Sequence, residues 1–183
     1  IEIGTSDFRT QAGQVPGIFI EPVKYYFDRL PECTKENVAI SNMEGETHVI
    51  YLPETVIRLY KLPEWLRGCN SINEPHPTAA RVLKDKGLSA DLFKRQTVKV
   101  VRIASIINKY NVQAIDFLKI DTEGHDCVIL NDYLDTVDIM PRKIQFEANE
   151  LSDAQEVIEM IERLESFGYH CFKQKDDIIA VLG

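Results

Sequence analysis

The chain has 183 residues, 44% of them hydrophobic and 27% charged, which suffices for one domain with a full core and not for two ordinary ones. Its net charge of −8 argues against a surface that tracks nucleic-acid phosphates, because that affinity comes largely from Lys and Arg. No apolar run approaches the roughly 18 residues of a membrane span, and no signal-peptide pattern opens the chain.

Short apolar runs, turns and helical periods alternate, the rhythm of βαβ units on a parallel sheet. Residues 1–4 (IEIG) predict a first strand. Ile1 already lies inside it, so a native start and any targeting information are expected upstream. Residues 17–21 (GIFIE) predict a second strand, and Pro22 opens a helix that runs to Leu30. A short third strand is expected over 38–41 and an extra one over 46–52 (ETHVIYL). Residues 53–97 read as an insertion on the substrate side of a single domain spanning 1–183. Within it, CNSINEPHPTAA is a loop rich in Pro, Asn and Ser ahead of a helix over 78–86. Lys94, Arg95, Lys99 and Arg102 read as a solvated face and edge strand.

A strand over 98–103 (VKVVRI), a short helix over 105–110, a strand over 115–121 and a helix over 123–133 follow, then a strand over 143–148 (KIQFEA). Ser152 with Gln155 reads as a capping box. Val157, Ile158, Ile161 and Leu164 give that helix one apolar stripe, and Gly168 takes the C′ position. Strands over 169–172 and 178–182, joined by a turn at Lys175-Asp176-Asp177, must be antiparallel, since a parallel pair needs a crossover. The expected fold class is α/β: a mostly parallel sheet finished by a C-terminal antiparallel hairpin. Cys33, Cys69, Cys127 and Cys171 form no C-x-x-C pair and have no His at zinc spacing, so reduced thiols in a cytoplasmic setting are expected.

In open α/β sheets ligands bind outside the carboxyl ends of the strands, near the point where strand order reverses. Three strand ends carry suitable chemistry. In IEIGTSDF, Glu2 lies in the strand and Gly4, Ser6 and Asp7 in the turn, where a glycine lets backbone approach a ligand closely. A strand–Gly–turn also arises for steric reasons alone. Glu21 ends the second strand at about the spacing of 20 residues at which an acid accepts ribose hydroxyls. A carboxylate beside a helix N-terminus is equally stabilising in its own right. The dinucleotide fingerprint G-x-G-x-x-G is absent, with Ser6 and Phe8 where more glycines would serve a pyrophosphate.

The third strand end is IDFLKIDTEGHDCVIL. Asp121 is expected at the mouth of the cleft, with Glu123 and Gly124 on the first turn of the next helix. The helix dipole favours acids there, and capping by Asp121 or Thr122 accounts for some of them. Acids beside His125 are expected to raise its pKa; a plain helix-face histidine is the alternative. IQFEANE brings Glu147 and Asn149 to the same edge. With Asp121 they suit a hard cation, a polar substrate or a hydrogen-bonded network between strands, and no metal is assigned.

Assembled, these residues resemble the FkbM family of S-adenosylmethionine-dependent methyltransferases over most of the chain. DFLKIDTEGHDCVIL is similar to that family's L-K-I-D-x-E-G signature, and IFIEP, NVAISNMEGE, IQFEAN, GYHCF and DDIIAVL resemble its other segments in order. The resemblance implies a Rossmann-like class I methyltransferase fold. It implies Glu2, Gly4, Ser6 and Asp7 as the first cofactor loop, Glu21 with Pro22 at the ribose, and Asn37 and Ala39 near the adenine. Asp121 would sit near the methionine end, with Glu123 and His125 on the substrate side. His125 is the first candidate for general base and Asp121 the second. Asn70, Ser71 and His76, from the insertion, with Glu147 and Asn149, would face a small-molecule or glycan acceptor. Ser6 and Phe8 depart from the family's small loop residues, and RIASII from its usual Leu-Asp pair. A non-catalytic nucleoside-binding module and a nicotinamide-dependent oxidoreductase are the rival readings.

Overall fold

The computed structural model describes residues 1–6, 10–149 and 151–183. Asp7 and Phe8 of the expected cofactor loop lie outside them. The elements in chain order are β1 (Glu2–Ile3), β2 (Ile18–Ile20), α1 (Lys24–Phe27), β3 (Thr34–Glu36), β4 (Ala39–Ile40), β5 (Gly45–Tyr51) and α2 (Glu54–Leu59). Then come β6 (Ser71–Ile72), α3 (Pro77–Asp85), β7 (Lys94–Val101), α4 (Ile103–Lys109), β8 (Phe117–Ile120) and α5 (Asp126–Thr136). The chain ends with β9 (Lys143–Glu147), α6 (Ala154–Ser166), β10 (Tyr169–Gln174) and β11 (Asp177–Leu182).

The main sheet has seven strands in the order β10-β11-β9-β8-β1-β2-β3. Five of them, β3, β2, β1, β8 and β9, run parallel, and β11 and β10 form the expected antiparallel hairpin on its end. The chain lays β1, β2 and β3 outward in one direction, then returns to place β8 on the other side of β1. Strand order therefore reverses between β1 and β8, and the crevice at their carboxyl ends is where this class of sheet takes a ligand. Ile3, Ile20, Leu118, Ile120, Ile144 and Phe146 are fully buried along these strands and join α5 and α6 in one apolar core.

Residues 38–41, expected as the third strand, instead supply β4 of a second sheet, ordered β4-β7-β5-β6. The true third strand of the main sheet is Thr34-Lys35-Glu36, an edge strand whose polar side chains are half-buried or exposed. It carries no apolar signal because it buries little. β7, expected at an edge, lies between β4 and β5, and its Lys94, Arg95 and Lys99 are exposed. Arg102 pairs with Asp132 of α5 at 2.9 Å. The insertion has its own apolar cluster, in which Leu52, Ile57, Leu66 and Leu83 are buried.

Local signals held unevenly. Gly168 follows Phe167, the C-cap of α6, at φ +89°, as a C′ glycine does. The cap at the other end is Asp153, not Ser152: its carboxylate accepts from the N–H groups of Gln155 and Glu156. The helix after Pro22 is a single turn, α1, beginning two residues later. All four cysteines are free. Among the described residues no helix is long and apolar enough to cross a membrane.

The reversal point is locked by a close approach. Gly4 has φ +77°, and a Cβ built on it would stand 1.8 Å from the Asp121 carbonyl oxygen. Neither the backbone angle nor the space admits a side chain. Gly4→Ala is expected to destabilise the protein by about 3 kcal/mol or more. Urea unfolding of both forms checks this, and a loss near zero would mean that the turn yields.

Candidate functional site

A cavity of about 270 Å³ opens at the carboxyl ends of β1, β2 and β8, roofed by the insertion. Its apolar wall is Ile3, Val38, Ala39, Ile40, Val49 and Ile72, with Trp65 on the rim at 44% exposure. Polar groups converge on it from separate elements: Ser6 after β1, Glu21 after β2, Asn70 and Ser71 at β6, Lys119 and Asp121 on β8, Glu123 beyond it, and Glu147 at the end of β9.

Three of these groups hold buried atoms without a partner among the described residues: Ser6 Oγ, Asn70 Oδ1 and Glu147 Oε2. Such atoms cost free energy when left unmade, on the order of 1–3 kcal/mol each, unless a ligand or water completes them. Ser6 is only 8% exposed and sits at φ +53°, a left-handed angle that a non-glycine residue seldom takes. Its N–H donates to Glu21 Oε2 at 2.7 Å, while Val23 N–H donates to Glu21 Oε1 at 2.6 Å. Glu21 thus ties the loop after β1 to the start of α1 and still faces the cavity.

The DTEGHD turn distributes its charges among distinct partners. Glu123 and Gly124 precede α5 rather than lie in its first turn, with φ of +56° and +93°. Asp126 is buried: its Oδ1 accepts from Thr122 N–H at 2.8 Å and its Oδ2 from Glu147 N–H at 2.8 Å. Burial pushes its carboxyl up to about 6, against those hydrogen bonds, which favour the charged form. Lys119 Nζ lies 3.2 Å from Asp121 and 3.3 Å from Glu2. Burial opposes its charge, but the two acids outweigh that and hold its pKa above the ordinary value.

His76 accepts the N–H of Thr78 on Nδ1 at 3.1 Å, capping α3. The ring proton therefore resides on Nε2, which donates to Glu123 Oε2 at 3.0 Å. Cys69, His76 and Glu123 bring potential ligand atoms within 4.8 Å of one another. That arrangement spends both ring nitrogens on hydrogen bonds, and a metal would have to displace one. Burial, then Glu123 and Glu147, push the Cys69 thiol up to about 12.

The expected residues are only partly brought together. Gly4, Ser6, Glu21, Pro22, Ala39, Asn70, Ser71, Asp121, Glu123 and Glu147 line the cavity. Glu2 lies beneath it, accepting from Thr10 Oγ1 and Gln11 N–H, both at 3.1 Å. Asn37 stands behind, donating to the Glu21 and Pro22 carbonyls. Asn149 turns to the Leu151 N–H at 2.7 Å, away from the expected set with Asp121 and Glu147. His125 lies outside the lining, 3.0 Å from Ser41 Oγ, in a second depression beside β5. Burial lowers its pKa, the opposite of the expected direction, because among the described residues no acid offsets the desolvation. Lys119, Trp65 and Cys69 were missed. A lysine inside the apolar run FLKI was the one signal available.

Among families of known proteins, residues 4–171 match the methyltransferase FkbM domain. Neither curated proteins nor solved structures yield a match.

Burial, followed by repulsion from Glu123, Asp121, Asp126 and Asp177, pushes the Glu147 carboxyl up to about 9 from an ordinary 4.5. The folded protein then binds one proton more than the unfolded chain between those values, so this group makes stability fall as pH rises through that window. Glu147→Gln is expected to flatten the fall, giving a higher Tm than wild type at pH 8 and a smaller difference at pH 5. A Tm lowered equally at both would show that the carboxylate is charged and needed.

Proposed function

The chain belongs to the FkbM methyltransferase family, and from that premise we propose that it carries a methyl group from S-adenosylmethionine to a hydroxyl oxygen of a small molecule or glycan. The observation that carries this reading is the convergence of unpartnered Ser6 Oγ, Asn70 Oδ1 and Glu147 Oε2 on one cavity at the reversal of strand order. S-adenosylmethionine supplies a methyl group activated by a sulfonium, open to in-line attack. Glu21, Asp121, Glu123 and Glu147 against Lys119 give the cavity an excess of acids, which suits a ligand bearing a sulfonium and an ammonium.

On this reading Gly4 and Ser6 border the donor, and Glu21, held in place by its two backbone bonds, meets the ribose. Pro22 and Ala39 border the base, and Asn37 fixes the segment that carries Glu21. The acceptor enters from the side of the insertion, past Trp65, Asn70 and Ser71. Holding acceptor and donor in line supplies much of the rate. A base that removes the hydroxyl proton as the bond forms adds a further factor.

His125 and Asp121 are the bases expected from the sequence, but Glu123, expected on the substrate side, is the better supported. It lines the cavity, one oxygen is fixed by His76, and its left-handed backbone is the kind of strain that clusters at working sites. His125 is held by Ser41 outside the lining and has the less direct path.

Calorimetry of donor binding tests the reading, with Glu21→Gln as the variant and NAD as control. Selective binding of S-adenosylmethionine, weakened by about tenfold or more in a folded Glu21→Gln protein, is the expected result. A folded wild type that ignores the donor overturns it. Glu123→Gly removes the carboxylate where the backbone angle already suits glycine. It is expected to keep donor affinity and lower radiolabelled methyl transfer to hydroxyl acceptors by roughly 10²–10⁴-fold. His125→Ala is expected to lose less; the reverse order would return the base to His125.

A further inference from the structure

Glu147 has a second oddity beside its missing partner: its place is over-determined. Asp126 Oδ2 accepts its N–H at 2.8 Å, and β9 is held between β8 and β11, so the side chain is delivered to the cavity by a fixed backbone. Its Oε2 is shut off from solvent with no hydrogen bond among the described residues.

The groups facing it are nearly all acidic or neutral. Asp121, Glu123 and Asp126 come from the segment joining β8 to α5, Asp177 from β11 and Cys69 from the insertion. On the opposite side Lys173 of β10 reaches the neighbouring Ala148 carbonyl at 3.5 Å. The cation lining the cavity is Lys119, already between Glu2 and Asp121. Among the described residues a carboxylate there has no counter-charge of its own.

We propose that Glu147 is a proton-linked counter-ion, through which the site favours a sulfonium donor over its uncharged thioether product. The inference rests on the donor assignment above. With the cavity empty, Glu147 holds its proton, since close like charges cannot all ionise. When a cation arrives, the O–H bond breaks, the proton passes to buffer and the carboxylate faces the cation. In methyl transfer the acceptor oxygen forms its bond to carbon while the carbon–sulfur pair returns to sulfur. The sulfur is then neutral, Glu147 regains a proton, and the attraction lapses. Donor and product share the same ammonium and carboxylate, so a difference between them isolates the sulfonium.

The test is calorimetry near neutral pH in buffers of different ionisation enthalpy, which counts protons on binding. The probes are S-adenosylmethionine and S-adenosylhomocysteine. Wild type is expected to release close to one proton with the first and close to none with the second. Glu147→Gln is expected to release none with either and to lose roughly tenfold of its preference for the donor. Equal proton counts for the two ligands, or release that persists in Glu147→Gln, would overturn the counter-ion role alone. Failure of both ligands to bind folded wild type would overturn the donor assignment instead.

Discussion

Everything at this site depends on how closely β1 and β8 can meet. Parallel strands at the reversal point diverge into helices on opposite faces, so the crevice is only as narrow as the two turns allow. Gly4 makes it narrow, because its missing Cβ leaves room for the Asp121 carbonyl. Asp126 then secures the far side of the same turn to β9 through two backbone N–H groups, fixing Thr122 and Glu147 relative to each other. One absent methyl and one buried carboxylate therefore set the spacing of the groups that line the cavity.

Given that spacing, the electrostatics follow. Acids from three strand ends are forced together, and the molecule handles each differently. Asp121 shares Lys119 with Glu2, Glu123 accepts from His76, Glu21 accepts from two backbone amides, and Glu147 Oε2 has no partner among the described residues. Buried carboxylates are tolerated when hydrogen-bonded and costly when not. The least satisfied one consequently keeps its proton, which makes the cavity responsive to the charge of whatever enters it.

The sequence carried the scaffold better than the contacts. Buried parallel strands announce themselves as apolar runs, so Ile18–Ile20, Phe117–Ile120 and Lys143–Glu147 were legible, as was the closing hairpin from its short turn. Thr34–Glu36 was not, because an edge strand can be wholly polar and still pair. Proximity in sequence also misled. His125 follows Glu123 by two residues, yet the positive φ of Glu123 and Gly124 turns the chain so that the imidazole meets Ser41. His76, 47 residues from Glu123, is its actual partner. No periodicity encodes a contact between an insertion and a strand end.

The six residues Asp121 to Asp126 hold more charge than capping α5 requires, and the structure explains the surplus by division of labour. Asp126, the first residue of α5, does not cap the helix; its buried carboxylate accepts from Thr122 and Glu147 N–H and ties the turn to β9. Asp121 balances a lysine inside the sheet. Glu123 occupies a backbone angle that glycine would take at less cost, as Gly124 beside it does. The backbone at that position gains nothing from the residue being Glu. What its side chain does gain is a fixed hydrogen bond from His76 and a place facing the cavity, so the strain belongs to the site and not to the scaffold.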